Sequence, residues 1–338
     1  MDTKSLTRRI SNINSLTLIN FYILDAILLR LTRTIVNNAF KGSSHLTDIM
    51  SISAYSVQYL IVVPVCIMLF KFINPDKEIR ISDKFRKPEQ PIGHIAKWIV
   101  MSFGLIYASS YISSFIFVFV QMITKTEFDT VSFAANPTAL GAVSNILAMT
   151  MLAPFFEELL FRGALLSNGQ KIGSWTAVFA VGLSFGLWHG TYNQIIYAAV
   201  MGTCAAFLVA KTGSIFSSLA LHICINTIGA VQSIFLGQID LSELEKTLEK
   251  GDLSYISEHS GAMAGILIPS ALVFVLMIAG IVLFVREIRY HKETFALPES
   301  HNDVAVKGKL GAYMTAPITL FAAIGAVTIA VLSAAGII

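Results

Sequence analysis

The chain has 338 residues, of which 55% are hydrophobic and only 13% are charged, and its mean hydropathy is +0.69. Soluble domains carry about 25% charged residues, so the composition argues against a soluble enzyme and predicts a protein whose solvent is the lipid bilayer. The formal net charge is only +3. Because the chain has no long basic stripe, we expect no nucleic-acid partner.

Nine segments are long and apolar enough to be predicted as spanning helices, each of which needs roughly 20 mainly apolar residues. The first is weakened by Asp25, Arg30 and Arg33, and the fifth is short. We therefore predict an all-α fold, a polytopic transmembrane helical bundle with about eight or nine spanning helices. The approximate limits are 15–36, 52–73, 96–123, 140–165, 174–190, 192–210, 214–237, 261–285 and 312–336.

The charges of the connecting loops predict the orientation of the chain. Loops on the cytoplasmic side of a membrane are rich in Lys and Arg. If the N-terminus is cytoplasmic, one side receives most of the basic residues, and the other side receives Glu127, Asp129 and a mainly acidic stretch with a short amphipathic helix over 241–250. We expect a multi-pass protein of a bacterial cell membrane. The basic loop residues are Lys77, Arg80, Lys84, Arg86, Lys87, Lys171, Lys211, Arg286, Arg289, Lys292, Lys307 and Lys309.

Two adjacent glutamates lie in the fourth apolar segment. Glu158 and Arg162 are four residues apart, so they share a helix face and can form an ion pair. Glu157 is turned about 100° away and is free to face a cavity. Pro154 removes one backbone hydrogen bond just upstream, which predicts a kink or a locally open backbone. The alternative is a structural ion pair with a second carboxylate near the membrane surface.

Two further segments carry polar pairs at helical spacing. Phe185 and His189 share a face of the fifth segment, where the aromatic ring could wall the imidazole. In the seventh segment His222 and Asn226 place two hydrogen-bond donors side by side, as an oxyanion requires. Packing of a satisfied histidine, and hydrogen bonding between helices, are the alternatives for these pairs. Asp25 in the first segment could pair with another helix.

The order of these motifs resembles one family. Glu157-Glu158-x-x-x-Arg162, Phe185-x-x-x-His189 and His222-x-x-x-Asn226 follow one another on three apolar segments. This arrangement resembles the CPBP family of intramembrane proteases, which includes the CAAX prenyl proteases and the bacteriocin-processing and Abi proteins. The resemblance covers about residues 140–230. It implies N-terminal transmembrane helices over 1–139, a catalytic transmembrane core over 140–237 and C-terminal transmembrane helices over 238–338.

The resemblance also implies a role for each motif residue. Glu157 activates water, His189 assists it, and His222 and Asn226 stabilise the oxyanion. Glu158, Arg162 and Phe185 support the site. The chain has no His-Glu-x-x-His motif, but Glu157, His189 and His222 could still bind a divalent metal such as zinc. Both a metal-free site and a metal site therefore stay open.

The function expected from the resemblance is hydrolysis of a peptide bond in a membrane-anchored or lipidated protein or peptide. The substrate could be a CAAX-type protein or a bacteriocin or other peptide precursor. We expect the cavity to open towards the cytoplasm. On the predicted limits, however, His189 lies about 22 Å from the cytoplasmic helix ends, whereas Glu157 and His222 lie about 12 Å from them. Because the three groups should meet at one depth, we expect the limits, especially those of the fifth segment, to be off by a few residues, or the loop over 167–173 to enter the membrane. The alternative functions are a non-catalytic membrane scaffold and a transporter in which Glu and His relay protons.

Overall fold

All regular secondary structure in the residues that the structure describes is helical. A computed structural model describes residues 2–125, 138–298 and 308–334. Two short 3₁₀ turns, Ile81–Lys84 and Lys292–Phe295, accompany the helices. In chain order the helices are α1 (Thr3–Ala39), α2 (Leu46–Ile73), α3 (Ile92–Thr124), α4 (Ala139–Ile172), α5 (Ser174–Trp188), α6 (Ile195–Thr212), α7 (Ile215–Leu236), α8 (Leu241–Glu249), α9 (Ser254–Glu258), α10 (Ser260–Tyr290), α11 (Lys309–Met314) and α12 (Pro317–Ala334).

The predicted polytopic helical bundle is confirmed. Seven of the helices in the described ranges, α1 to α4, α6, α7 and α10, are long and apolar enough to cross a membrane, and α5 and α12 are shorter apolar helices. These nine helices correspond to the nine predicted segments. The predicted amphipathic helix over 241–250 corresponds to α8. This helix begins after Asp240, and the Asp240 carboxylate accepts hydrogen bonds from two backbone N–H groups of the first turn.

The basic loops gather at one end of the bundle, which we call the basic end. Arg86 donates to the Gly213 carbonyl at 3.0 Å, Lys84 donates to the Gln170 side chain at 3.3 Å, and Lys171 is paired with Asp76. Helices α8 and α9 connect α7 to α10 at the opposite end. The predicted loop charges at Glu127, Asp129 and Lys307 lie outside the described residues.

A chain of buried side-chain amides holds the two ends of the polypeptide together near the basic end. The Asn14 amide of α1 donates to the Leu165 carbonyl at 3.1 Å and to the Tyr313 hydroxyl at 2.9 Å. Asn168 donates in turn to the Asn14 carbonyl oxygen at 2.9 Å. Hydrogen bonds of this kind stabilise helix contacts in a medium that offers no water. They join α1 directly to α11 and to the end of α4.

Small residues bring the backbones of α5 and α6 together. A Cβ atom on Gly182 would lie 2.1 Å from the Thr203 hydroxyl, and one on Gly186 would lie 2.4 Å from the Ile195 carbonyl oxygen. Such close approach requires glycine, as at other small-residue contacts between membrane helices. The contact matters for the site because it brings the backbone of Gly202 in α6 next to α4.

A second close contact joins α3 to α10. A Cβ atom on Gly104 would lie 2.5 Å from the Ile281 backbone nitrogen, and one on Gly280 would lie 2.2 Å from the Val100 carbonyl oxygen. Neither neighbour is the flexible end of a side chain, so the helices themselves must separate to accept a methyl group.

We expect Gly104→Ala to lower the free energy of unfolding by about 1–3 kcal/mol, the usual cost of overpacking. The measurement is the thermal unfolding midpoint of the purified protein in detergent. Gly93→Ala, on the same helix, is the control, because a Cβ atom on Gly93 meets nothing within 4 Å. Equal midpoints for the two variants would contradict the close α3–α10 contact.

Candidate active site

The hairpin of α4 and α5 brings Glu157 and His189 to one depth. Helix α4 continues to Ile172, seven residues beyond the predicted limit, so Glu157 lies about 22 Å from the turn. His189 lies the same number of residues after Ser174, where α5 begins. The limits were therefore off by a few residues, as expected, but the error lay in the fourth helix, which was drawn too short, and not in the fifth. The last residues of α4 are buried, with Asn168 and Ile172 each 1% exposed.

A buried ion pair anchors the site, as predicted from the spacing. Arg162 Nη1 lies 3.0 Å from Glu158 Oε1, and Arg162 Nη2 donates to the Gly202 carbonyl at 3.2 Å. The Nδ1 atom of His222 lies 2.9 Å from the same Glu158 oxygen. Arg162 is 0% exposed and Glu158 is 1% exposed. One carboxylate thus positions both a guanidinium from its own helix and an imidazole from α7.

Glu157 makes different contacts from its neighbour. It accepts a hydrogen bond from the Tyr59 hydroxyl at 3.1 Å, and its other oxygen lies 3.6 Å from His222 Nε2. It has no ion pair with Arg162 within 4.0 Å. Glu157 is therefore held in place by groups on α2 and α7 while it borders the cavity described below.

The orientation of His189 follows from one backbone contact. Its Nδ1 atom lies 2.8 Å from the Phe185 carbonyl oxygen. Because a carbonyl oxygen only accepts, Nδ1 carries the hydrogen and the Nε2 lone pair remains available. The Phe185 ring is 4.7 Å from the imidazole and nearly perpendicular to it, which confirms the predicted aromatic wall. The same ring lies 4.5 Å from the Arg162 guanidinium.

Asn226 is held by a carbonyl group that Pro154 leaves unpaired. Residues Ala148–Leu152 of α4 are π-helical, and the Ala153 N–H bonds to the Ala148 carbonyl. In this pattern the next residue would bond to Met149, but Pro154 has no N–H. The Met149 carbonyl instead accepts from Asn226 Nδ2 at 2.8 Å. The locally open backbone that Pro154 predicts is therefore present, and it positions a motif residue on another helix.

The motif residues surround one large polar cavity inside the bundle. The cavity has a volume of about 680 Å³, and it is lined by Glu157, Phe185, His189, His222 and Asn226. Glu158 and Arg162 lie behind this lining. The spacing and the shared face of each pair were predicted from the sequence, and the structure brings all seven residues together. Their catalytic roles remain predictions.

The cavity extends away from the basic end. Its lining includes Asn193 and Gln194 in the α5–α6 turn and Gln232 and Ser233 near the end of α7, whereas it includes no residue of α4 after Glu157. Our expectation of a cavity open at the basic, predicted cytoplasmic, end was therefore wrong. The end of α4 fills the basic end of the bundle, as the burial of Asn168 and Ile172 shows.

The predicted alternative of a metal site depends on whether Glu157, His189 and His222 can hold one ion together. No group of three or more His, Cys, Asp or Glu residues within the described ranges could hold one metal ion. His222 and His189 each use Nδ1 in a contact with a carboxylate or a carbonyl group, and this leaves both Nε2 atoms available, as in metal-binding histidines. The position of the donors is what does not fit, because Glu157, His189 and His222 do not form a preformed site for one ion within the described residues, and we derive no step through a metal.

Tyr59 and Gly202 contribute to the site but were not predicted. Tyr59 is a tyrosine in an apolar helix with no motif around it, and the Gly202 contact is made by a backbone carbonyl. One signal was available for Tyr59, because a buried hydroxyl needs a partner in the membrane. That this partner is Glu157 is known only from the packing of α2 on α4.

Comparison with known proteins supports the predicted resemblance. Residues 138–228 match the family model described as "Type II CAAX prenyl endopeptidase Rce1-like". The chain is also similar to the uncharacterized protein YpbD of Bacillus subtilis (strain 168), with 33% identity over 98 residues, which is 28% of this chain and 48% of that protein. The chain thus covers about half the length of this relative. No solved structure matches the chain. The resemblance to CPBP-type CAAX proteases is therefore confirmed for the segment that carries the motifs.

We expect Glu158→Gln to lower the free energy of unfolding by about 3–5 kcal/mol, because it leaves the Arg162 charge buried without its partner. The matched control is Glu89→Gln, which removes one member of an exposed 3.0 Å pair with Arg86 and should cost less than about 1 kcal/mol. Urea unfolding in mixed micelles, followed by circular dichroism, measures both. Comparable losses in the two variants would contradict the anchoring role of the buried pair.

Proposed function

We propose that the protein is an intramembrane peptidase that hydrolyses a peptide bond of a membrane-associated or lipidated protein or peptide. The observation that carries the proposal is the environment of Glu157. It is a buried carboxylate without an ion pair to Arg162, and it borders a polar cavity beside His189 and His222. Such groups within a membrane bundle are costly and mark functional sites.

In this mechanism Glu157 is the general base. A water molecule between Glu157 and the Nε2 atom of His189 gives its proton to the carboxylate and attacks the carbonyl carbon of the scissile bond. The Nε2 lone pair accepts the second hydrogen of that water and so orients it. The Tyr59 hydroxyl holds the Glu157 carboxylate in a fixed rotamer. When the tetrahedral intermediate collapses, Glu157 passes the proton to the leaving amine.

His222 and Asn226 are proposed to stabilise the oxyanion of that intermediate. One N–H of the Asn226 amide is bound to Met149, so the second N–H is the one available for the substrate. His222 donates through Nε2 when the ring carries both protons. In that state the charges of Glu157, Glu158, Arg162 and His222 sum to zero, which is the least costly arrangement for buried ions.

Glu158, Arg162 and Phe185 act as supporting residues in this proposal. Glu158 holds His222 by its Nδ1 atom, so Nε2 is directed towards Glu157 and the cavity. Arg162 fixes the Glu158 carboxylate and is itself held by Gly202. Phe185 packs against the guanidinium and both imidazoles. The catalytic groups are thereby preorganised, which is where most of the rate enhancement of a polar site originates.

The setting of the site and the matched family description support the proposed substrate class. The cavity lies within a bundle of membrane-spanning helices, so a substrate anchored in the bilayer reaches it more readily than a soluble peptide does. The matched family description names CAAX prenyl endopeptidases, which supports a lipidated C-terminal substrate. A bacteriocin or other peptide precursor remains in the proposed class. We place the protein in a bacterial cell membrane with the N-terminus in the cytoplasm.

Glu157→Gln is expected to lower turnover by about 10²–10⁴-fold, because the variant keeps the shape of the side chain but cannot take the proton. The measurement is cleavage of a quenched fluorescent peptide library with prenylated and unmodified members by the protein in liposomes. His189→Gln and Tyr59→Phe are assayed in parallel, with a smaller loss expected for Tyr59→Phe because the base itself remains.

Glu245→Gln, on the exposed face of α8, is the matched control and should retain wild-type turnover. A Glu157→Gln variant that cleaves as fast as the wild type would overturn the mechanism. If the wild type cleaves no member and Glu157→Gln complements a deletion strain, the non-catalytic scaffold takes the place of the peptidase.

We expect cleavage to persist after treatment with 1,10-phenanthroline, because the donor set does not form a metal site. The zinc content of the same sample is measured by elemental mass spectrometry. A loss of activity that is restored by one equivalent of zinc would contradict the metal-free mechanism. Inhibition that dilution alone reverses would instead indicate direct binding of the chelator.

A further inference from the structure

A second carboxylate, Asp25, faces the candidate active site. It lies in α1 and lines the same cavity as Glu157. Its Oδ1 atom is buried and has no hydrogen-bond partner among the described residues. The structure gives Asp25 no ion pair within 4.0 Å in the described ranges, so the pairing with another helix that the sequence suggested is not present there.

The position of Asp25 relative to His189 is fixed. The Tyr22 hydroxyl donates to the carbonyl of Trp188, the residue just before His189. Asp25 follows Tyr22 by three residues, so it lies on the same face of α1, about one turn along the helix. The hydrogen bond of Tyr22 thus ties the part of α1 that carries Asp25 to the end of α5 that carries His189.

The cavity lining has a carboxylate, Asp25, that no cation of the lining contacts within the described residues. The lining residues include the carboxylates of Asp25 and Glu157 but, within the described chain, no Lys or Arg. Glu157 has contacts with Tyr59 and His222, whereas Asp25 has no hydrogen bond or ion pair in the part of the chain that the structure describes. The charge of Arg33, further along α1, acts on Asp25 without a contact within 4.0 Å. A carboxylate inside a membrane protein is expensive unless a partner arrives to pair with it. The missing partner must be a hydrogen-bond donor, and a cation would satisfy it best.

The neighbouring side chains also suit a cation. Aromatic faces attract an ammonium or guanidinium group that lies within about 6 Å of the ring. The indole N–H of Trp188 is buried and has no partner among the described residues, and the Trp188 side chain is 8% exposed. This free donor matches a peptide carbonyl. The aromatic residues of the lining on α1, α2 and α5 are Phe21, Tyr22, Tyr55, Tyr59, Phe185 and Trp188.

We propose that Asp25 is a specificity residue that binds the ammonium or guanidinium group of a Lys or Arg side chain close to the scissile bond of the substrate. This inference rests on the proposed peptidase function and narrows its substrate class to peptides with a basic residue at one position near the cleavage site. The pair forms only when the substrate is bound, so discrimination arises because neutral substrates leave the buried Oδ1 atom of Asp25 without a partner.

The test uses pairs of peptides that are identical except for Lys or norleucine at one of the three positions on either side of the cleavage site. We expect the wild type to cleave one Lys peptide with a kcat/KM about 10–100-fold above that of its norleucine partner, the worth of a charged hydrogen bond. Asp25→Asn should lower that ratio to near one. Asp25→Lys should favour a Glu peptide at the same position. Asp83→Asn, the same substitution at an exposed aspartate of the basic end, should leave the ratio at the wild-type value.

A binding measurement separates the two proposals. The Kd values of the Lys and norleucine peptides are measured on the Glu157→Gln protein, with and without Asp25→Asn. If the wild type cleaves the peptides but equally well with Lys and norleucine at every position, the specificity role of Asp25 is wrong and the peptidase stands. If the wild type cleaves nothing and neither peptide binds, both proposals are overturned. Tighter binding of the Lys peptide that Asp25→Asn abolishes supports the role of Asp25 even where turnover is slow.

Discussion

The carboxylate of Glu158 is the point on which the arrangement of the site depends. It is the shared partner of Arg162 from its own helix and of His222 from α7. A single buried charge therefore determines both the rotation of α4 and the direction of the His222 ring. Because an unpaired ion in this environment costs several kcal/mol, any packing of α4 and α7 that separates these groups is strongly disfavoured. Glu157 is left without an ion pair to Arg162 for the same reason, since Arg162 is already paired with the adjacent Glu158.

Local geometry explains why much of this could be predicted from the sequence. The helix type, the Glu158–Arg162 pair and the Phe185–His189 contact depend on residues four apart on one helix, and helical spacing alone indicates them. The effect of Pro154 is also local. Contacts between residues of different helices were harder to predict. Tyr59, Gly202 and Met149 contribute through such contacts, which the spacing along one helix does not indicate.

The errors in the prediction came from helix ends. Residues 166–172 contain polar side chains such as Asn168 and Gln170, so hydropathy suggested that the fourth helix had already ended. In the structure these residues remain helical because Asn168 bonds to Asn14 of α1. The cavity direction was wrong for the same reason, since the extended hairpin fills the basic end. A polar residue that is satisfied by another helix looks like a loop residue to any measure that treats one segment at a time.

The amide chain between Asn14, Asn168 and Tyr313 links residues that are far apart in the order of synthesis. Tyr313 follows Asn14 by 299 residues, so it emerges from the ribosome much later. Helix α1 therefore enters the bilayer with a polar side chain whose partners have not yet been made. The insertion machinery or neighbouring lipids must tolerate that group through most of translation. This part of the bundle can close only when α11 arrives, so a chain that is cut before α11 keeps an incompletely satisfied amide that quality-control proteases can recognise.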